Sequence, residues 1–359
     1  MKSLRPWLII VLLLVLGGAL AAYRSSTNDK SAQPAQSPQS HSIVASRLEV
    51  PWDIAVMPDG DLLVTERPGQ LRRIGKNGAT YTIRGVEQTS EGGLLGLALH
   101  PHFTENKWLY VYLTTRSNGQ VRNQVDRYVY SKDGLSARTS IIADIPGATT
   151  HDGGALAFGP DGKLYVGSGD ANVQQDAQQT NALSGKILRL NDDGSVPADN
   201  PFRNPVWSYG HRNPQGIAWD HQGRLWATEH GPSGYDELNL IEKGVNYGWP
   251  IIRGDEQRAG MRRPLLHSGA DETWAPAGLA YADGDLFFTG LRGQTLYRAN
   301  ISDTKNIRLD RFLQEEYGRL RAVTAAENVL YISTSNRDGR GTPADDDDRL
   351  LRIPLEQVE

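Results

Sequence analysis

Four short polar clusters in this chain carry side chains that could do chemistry: residues 91–93, 150–154, 210–216 and 229–237. Each cluster lies directly beside an apolar stretch with the pattern of a β-strand. His151, in the second cluster, carries an imidazole, which titrates near neutral pH and is the commonest general base. A lone histidine can equally be structural and bond a neighbouring loop, so both interpretations of His151 stay open.

The third cluster predicts contact with an anion or a polarised carbonyl. Arg212 and Asn213 precede Pro214, and a planar guanidinium suits carboxylates and carbonyl oxygens. The alternative is that Arg212 only ties two neighbouring repeats together.

A second group of arginines favours a ligand with several carboxylates. Arg319 and Arg321 are two residues apart before an apolar stretch, so on a strand they share one face and would repel each other without an anion. Arg292 adds a further cation. The alternative is that Arg319 and Arg321 pair with Glu315 or Glu316.

The fourth cluster has groups that suit a hard cation. Gly231 and Pro232 offer backbone carbonyls, and Asp236 and Glu237 follow with carboxylates, which together are the oxygen ligands that Ca²⁺ takes. The spacing is not that of an EF-hand. The acidic run at 345–348 is predicted to be a solvated loop, because like charges in a row repel.

The elements that must position these clusters form a repeat. An apolar strand, a turn that often contains Asp-Gly, and a second strand rich in large apolar residues occur six times. The copies cover residues 54–65, 96–111, 156–167, 216–228, 278–289 and 322–333. A strand-based period of roughly 40–60 residues predicts an all-β fold, a six-bladed β-propeller. Propeller loops surround one central mouth, so the clusters are expected to converge there.

Further strands complete the predicted blades. Residues 70–74, 185–190, 295–298 and 349–353 are expected to be outer strands with one solvated face. Residues 46–50 are expected to pair with the last blade and close the ring. The helix signal is weak throughout.

Composition limits the class of partner. The chain has 359 residues, a formal net charge of −4 and no cysteine. No basic stripe is present, which argues against nucleic acid as a partner. The absence of cysteine excludes disulfides and thiol catalysis.

The N-terminus predicts export. Basic residues precede an apolar run at residues 7–22, so residues 1–22 are interpreted as a signal peptide or membrane anchor. Residues 23–42 have the composition of a flexible linker, and residues 43–359 are assigned to the propeller. The folded part is therefore expected in the periplasm or outside the cell, released or tethered to the membrane.

The clusters belong to longer strings that resemble a known family. These strings are Thr-Glu-Arg-Pro-Gly at 65–69, Glu-Gly-Gly-Leu-Leu-Gly-Leu at 91–97, His-Asp-Gly-Gly at 151–154, Ser-Tyr-Gly-His-Arg-Asn-Pro-Gln-Gly at 208–216, Glu-His-Gly-Pro at 229–232 and Asn-Tyr-Gly-Trp-Pro at 246–250. They resemble the aldose sugar (glucose/sorbosone) dehydrogenases that depend on pyrroloquinoline quinone (PQQ). The resemblance implies a six-bladed propeller with PQQ and Ca²⁺ in its mouth, which oxidises the anomeric carbon of an aldose to a lactone.

The resemblance also implies roles for individual residues. His151 would take the proton of the anomeric hydroxyl, and Arg212 would lie near the reacting quinone carbonyl. The other implied cofactor contacts are Asn213, Arg292, Arg319, Arg321 and Glu91. Calcium would be bound by the carbonyls of Gly231 and Pro232, and a further calcium site would involve Glu237 and the carbonyl of Tyr247.

Three positions depart from the family pattern. Glu91 stands where well-known members have Gln for a cofactor or sugar contact, so it would add charge or stay protonated. Thr150 stands where some members have Asp. The stretch at 253–273 is shorter than in glucose-oxidising relatives, which leaves Trp274 as a substitute sugar contact.

Two other functions remain as alternatives. Some relatives of this family are extracellular binding propellers without catalysis, and some six-bladed propellers are calcium-dependent lactonases. The presence of His151, Arg212 and Asn213 favours the dehydrogenase, and a lactonase would leave the arginines unexplained. The expected partners are an aldose and an external electron acceptor, a quinone or a cytochrome.

Overall fold

The structure, a computed structural model, describes residues 41–358 and shows six four-stranded antiparallel sheets. The strands follow one another blade by blade. The first strand is β1 (Ser42–Ala45); blade 1 has β2 (Pro51–Val56), β3 (Leu62–Glu66), β4 (Gln70–Ile74) and β5 (Ala79–Thr82); blade 2 has β6 (Leu94–Leu99), β7 (Trp108–Ser117), β8 (Gln120–Ser131) and β9 (Gly134–Pro146); blade 3 has β10 (Leu156–Phe158), β11 (Leu164–Ser168), β12 (Lys186–Leu190) and β13 (Val206–Tyr209). Blade 4 has β14 (Pro214–Trp219), β15 (Leu225–Glu229), β16 (Glu237–Ile241) and β17 (Leu266–His267); blade 5 has β18 (Pro276–Ala282), β19 (Asp285–Gly290), β20 (Thr295–Asn300) and β21 (Arg308–Phe312); blade 6 has β22 (Leu320–Ala326), β23 (Val329–Thr334), β24 (Leu350–Pro354) and β1. The predicted six-bladed propeller is confirmed.

Helices are few, as the sequence indicates. In residues 41–358 they comprise α1 (Phe103–Asn106) and two 3₁₀ helices, Gln174–Gln178 and Leu355–Gln357. None of these is long and apolar enough to cross a lipid bilayer. The predicted signal or anchor at 1–22, and the linker up to residue 40, lie outside the described residues.

The prediction of which strands are outermost is wrong. The segments expected at the outside form β4, β12, β20 and β24, which are the third strands of their sheets, and a further strand pairs beyond each one. All five residues of β12 are buried. Arg73 of β4 is also buried, because Asp61 accepts a hydrogen bond of 2.8 Å from its Nε. Charged residues of these strands, such as Arg73 and Lys186, can therefore be buried rather than solvated.

Ring closure occurs four residues earlier than predicted. β1, rather than residues 46–50, pairs with β24 in antiparallel register. Residues 46–50 are not a strand, because Arg47 and Val50 have φ values of 57° and 50°, which interrupt an extended chain.

The acidic run at 345–348 is not a solvated loop throughout. Asp347 and Asp348 are buried. Oδ1 of Asp348 accepts the backbone N–H of Asn336 at 2.5 Å, and Oδ2 of Asp347 accepts that of Ala344 at 2.8 Å. Backbone amides therefore bind one oxygen of each carboxylate, and the run folds back as an ordered loop, although Oδ2 of Asp348 is buried without a partner in the described residues.

Apolar side chains fill each seam between neighbouring blades. Six clusters of buried residues are found, and each one joins two adjacent blades. Trp226, for example, is fully buried between blades 4 and 5. Packing at the seams therefore holds the loops of all six blades in fixed positions around the axis.

The innermost strands carry irregularities near the mouth. β2, β6, β14, β18 and β22 each have a register shift at the N-terminal end, where one extra residue opposes the second strand. Such bulges re-aim side chains. Trp52, Gln215 and Arg321 lie at three of them and meet: Arg321 donates to Gln215 and its guanidinium carbon is 4.6 Å from the Trp52 ring centroid.

Candidate active site

A buried carboxylate orients the ring of His151. Nδ1 of His151 is 2.8 Å from Oδ1 of Asp170, and Oδ2 of Asp170 accepts the indole N–H of Trp249 at 2.8 Å. Burial works to raise the pKa of Asp170, but the hydrogen bond and the charge of His151 outweigh it, and the net pKa is lowered. Asp170 is therefore an ionised partner at neutral pH.

The other ring nitrogen of His151 meets Arg212. Nη2 of Arg212 is 2.9 Å from Nε2 of His151, and a guanidinium can only donate. Nε2 must therefore accept, which assigns the ring proton to Nδ1, facing Asp170. The basic nitrogen of this tautomer lies beside a cation.

The backbone of His151 is held in an unusual conformation. Its φ is 64°, in the left-handed region that non-glycine residues rarely adopt. The next loop residue, Asp152, is buried and accepts from Asn123 Nδ2 at 2.9 Å. At Gly153 an added Cβ would lie 2.4 Å from the carbonyl of Gly167. This tight packing explains the His-Asp-Gly-Gly string.

Glu91 connects this loop to the opposite end of the chain. Its Oε2 accepts the backbone N–H of His151 at 2.9 Å, and its Oε1 is 2.9 Å from Nη1 of Arg340. Burial works to raise the pKa of Glu91, but the amide of His151 and the charges of His230 and Arg340 lower it overall. Glu91 is therefore charged, and the expectation that it could stay protonated is not met.

Arg319 pairs with a carboxylate other than those predicted. Its Nη2 is 2.7 Å from Oδ2 of Asp338, and its Nη1 donates to the carbonyl of Leu291 at 3.2 Å. Neither of the two predicted glutamates contacts Arg319, because the loop after β23 folds back over the arginine. Arg292, next to Leu291, is exposed at the turn between β19 and β20.

Arg321 is a buried cation without a carboxylate in direct contact. Its polar partner in the described chain is the amide oxygen of Gln215. Burial, together with the positive charge of Arg67, lowers the pKa of Arg321 to about 9, so it remains charged at neutral pH. Arg67 itself is buried and has only a 3.5 Å contact from Nη2 to the carbonyl of Asp338. Within residues 41–358, two buried guanidiniums thus lack a direct counter-charge.

Several buried donors also lack an acceptor. Within residues 41–358, no hydrogen-bond partner is found for Nε1 of Trp52, Nε of Arg67, Nε of Arg212 or Nδ2 of Asn213. Each buried unsatisfied donor costs about 1–3 kcal/mol. Asn213 is fixed with its amide nitrogen free, because its Oδ1 accepts the N–H of Gly153 at 3.0 Å. These donors match an acceptor-rich anionic ligand.

The predicted calcium residues line one cavity. Gly231, Pro232, Glu237 and Tyr247 surround a small cavity of about 10 Å³ together with Glu229. Burial raises the pKa of Glu229 to about 8. Burial, together with the charge of Glu229, raises the pKa of Glu237 well above its ordinary value. Two buried carboxylates beside backbone carbonyls fit Ca²⁺. No cluster of three or more metal-binding side chains occurs in residues 41–358, so carbonyls would have to complete the coordination.

Four residues of the mouth were missed in the sequence: Arg67, Asp170, Trp249 and Arg340. Arg67 comes directly after the second strand of its repeat, as His230 does after β15, whereas Asp170 comes one residue later than the matching position, which is Gly169. A comparison of the repeats at this position would have found Arg67 but not Asp170. Trp249 and Arg340 lie in longer loops where the repeats do not align, so the repeats give no signal for them.

Comparison with known proteins is consistent with this geometry. The family model described as glucose / sorbosone dehydrogenase matches residues 48–352. The aldose sugar dehydrogenase YliI of Escherichia coli is 32% identical over 336 residues, which cover 83% of this chain and 90% of that relative. The structure of the PQQ-bound form of aldose sugar dehydrogenase from Streptomyces coelicolor is 40% identical, with a TM-score of 0.82 over 88% of this chain and 99% of that chain. This chain belongs to the glucose/sorbosone dehydrogenase family of oxidoreductases.

Proposed function

We propose that this protein oxidises the anomeric carbon of an aldose to the lactone with PQQ and Ca²⁺. The observation that carries the proposal is the set of buried donors without a partner in the described residues, together with the Arg212 guanidinium that contacts the basic nitrogen of His151. PQQ, when bound, supplies the redox chemistry as hydride acceptor, and Ca²⁺ supplies a Lewis acid.

The cofactor would be held by cations and donors of the mouth. The proposed contacts are Arg212, Asn213, Arg292, Arg319 and Arg321, with Arg67 added from the structure. Arg67 and Arg321, which are buried without a carboxylate in direct contact among the described residues, favour an anionic guest. Glu91 carries a negative charge, so we assign it to the sugar side of the site rather than to the anionic cofactor. Gly231, Pro232, Glu237 and Tyr247 are the proposed calcium ligands.

His151 is the proposed base. Its Nε2 would accept the proton of the anomeric hydroxyl while the anomeric carbon loses its hydride. Asp170 would hold the ring and stabilise the imidazolium that forms. Nε2 has one lone pair, so Arg212, which donates to it here, would have to release it to the sugar. The guanidinium would then stabilise negative charge that develops on the nearby oxygen. Electrons would then pass to an external quinone or cytochrome.

We also expect the protein to be exported, with residues 1–22 as the signal peptide or membrane anchor.

The test is a titration with PQQ and Ca²⁺, followed by dye reduction with a panel of aldoses. We expect saturable PQQ binding and aldose-dependent reduction of the dye. Acid release from a lactone without PQQ would instead indicate a lactonase. Absence of both PQQ binding and turnover would indicate a binding propeller.

Replacement of the base separates binding from chemistry. In His151→Ala, kcat should fall by about 10²-fold or more, the usual contribution of a general base. PQQ affinity should change little, because the unpaired donors belong to other residues. Unchanged kcat would remove His151 from the mechanism.

A further inference from the structure

An ion pair on the rim of the mouth joins blade 2 to blade 6. Arg340 lies in the loop between β23 and β24, and its Nη1 is 2.9 Å from Oε1 of Glu91. The side chain of Arg340 is 48% exposed, whereas that of Glu91 is 15% exposed. The backbone N–H of Arg340 donates to Asp338 at 2.9 Å, which fixes the loop. The guanidinium therefore has a defined position and still faces solvent.

This pair is close to the proposed reacting centre. The second oxygen of Glu91 accepts the backbone N–H of His151 at 2.9 Å. One carboxylate thus separates Arg340 from the base. A sugar whose anomeric hydroxyl lies at Nε2 of His151 would present its remaining hydroxyls to this part of the rim. Arg340 has donors for them, because Glu91 engages Nη1 and the contact of Nη2 with Oγ of Ser90 is long, at 3.5 Å.

The charges of the pair favour one class of substrate. Glu91 is ionised and balances Arg340, so the pair is neutral as a unit. A carboxylate on an incoming sugar would have to compete with Glu91 for the guanidinium and would be repelled by it. A hydroxyl accepts from Arg340 without that repulsion.

We propose that the Glu91–Arg340 pair determines specificity: Arg340 donates to hydroxyls of uncharged aldoses, and Glu91 excludes aldoses that carry a carboxylate. This inference rests on the proposed dehydrogenase function. It assigns Arg340 a substrate contact, and it predicts that loss of the charge on Glu91 turns the same guanidinium into a carboxylate site.

The test is the substitution Glu91→Gln, which keeps an amide oxygen for the N–H of His151 but removes the charge. The ratio of kcat/KM for glucuronic acid to kcat/KM for glucose should rise by about tenfold to a hundredfold, the value of one charge-assisted hydrogen bond. In the double variant Glu91→Gln/Arg340→Ala the ratio should return to within about threefold of wild type, since the guanidinium is gone.

A second ion pair of blade 2 gives a matched control. Arg116 is also 48% exposed and is 2.7 Å from Glu87, and its other contact is the carbonyl of Gly119. None of these residues belongs to the site. Glu87→Gln therefore frees an equally exposed arginine and should leave the substrate ratio unchanged. An equal rise in this variant would overturn the inference, because it would reflect net charge alone.

Failure of this inference is distinguishable from failure of the proposed function. PQQ binding is measured first by fluorescence without sugar: wild type that binds no PQQ overturns the proposed function. If PQQ binds and glucose is oxidised but Glu91→Gln leaves the ratio unchanged, the specificity inference is wrong. Should Glu91→Gln not fold, Arg340→Ala decides: an increase in the KM for glucose of about fivefold or more supports the substrate contact, and an unchanged KM overturns it.

Discussion

Each polar group of His151 meets one partner from a different part of the chain. The backbone N–H, Nδ1 and Nε2 meet Glu91, Asp170 and Arg212, which are 60, 19 and 61 residues away. From the sequence alone, a catalytic and a structural role for this histidine were equally consistent, because none of these partners is a sequence neighbour. The three-dimensional contacts fix the tautomer and favour the role of a base.

Asp170→Asn tests the positioning of that base. We expect kcat to fall by about 10²-fold or more, because the amide can favour the wrong tautomer of the ring. The acidic limb of the kcat/KM profile should move to lower pH, since the imidazolium loses its carboxylate partner and protonates less readily.

The readouts for Asp170→Asn separate positioning from folding. PQQ affinity should stay close to that of wild type, and Asp133→Asn, at an exposed turn residue, should change neither kcat nor the profile. A lower kcat with an unmoved acidic limb would argue against an electrostatic role for Asp170.

Stability at low pH tests the ion pair of Glu91. Its pKa in the folded protein lies below the ordinary value of 4.5, so the unfolded chain binds more protons as the pH falls. The stabilisation is therefore complete above pH 4.5 and is lost as the pH falls through the folded-state pKa. The difference in free energy of unfolding between wild type and Glu91→Gln should be constant from about pH 6 to 8 and should change in favour of the variant below about pH 4.5. A constant difference across the whole range would contradict the shift.

At the scale of elements, the six repeats predict the number of blades and the strands nearest the axis. They do not reveal that a fourth strand, β13, lies outside β12. The residues of β13, such as Ser208, show little hydrophobic periodicity in the sequence. The inner-strand bulges are also invisible in the pattern, since one extra residue hardly disturbs an apolar run. Register is set by pairing between strands, which a single stretch of sequence does not contain.

Lys186 of β12 shows how a charged residue can stabilise an element from inside. It is fully buried, and Nζ donates to the carbonyls of Asp176, Ala177 and Ser184 at 2.7, 3.1 and 2.6 Å. Burial lowers its pKa to about 7. The ammonium thereby ties the 3₁₀ helix Gln174–Gln178 and the loop that follows it to blade 3.

Lys186→Met tests this contribution. The variant leaves three buried carbonyls without a donor, so the free energy of unfolding should fall by about 2–4 kcal/mol, given the strength of hydrogen bonds to charged groups. Urea denaturation measures it, and Lys305→Met, at an exposed residue, serves as the control. Equal stability of the two variants would show that Lys186 is dispensable.

At the scale of the whole molecule, the ring is closed by β1, which comes from the N-terminal side and completes the blade formed by the end of the chain. The sequence predicts closure by this region, but not the position of the strand, because the two left-handed residues that end it have no distinctive side chains. The start of the folded domain at residue 43 therefore remains a prediction that truncation can test.

Two truncations separate closure from the rest of the N-terminus. Removal of residues 1–40 should leave the free energy of unfolding unchanged, since all of β1 is retained. Removal of residues 1–46 deletes β1 and should lower it by roughly 2 kcal/mol or more, as each ladder hydrogen bond contributes about 1 kcal/mol. If both truncated proteins have the same free energy of unfolding, pairing of β1 with β24 does not stabilise the fold.

The bulges near the N-terminal ends of five inner strands divide those blades into two parts. On one side of each bulge, regular pairing and seam packing set the architecture; on the other side, the side chains face the mouth and are available to a ligand. Exchange of residues on the side of the mouth need not disturb the regular ladder. Such a scaffold could acquire a new chemistry through a few changes at its rim while its foundation stays the same.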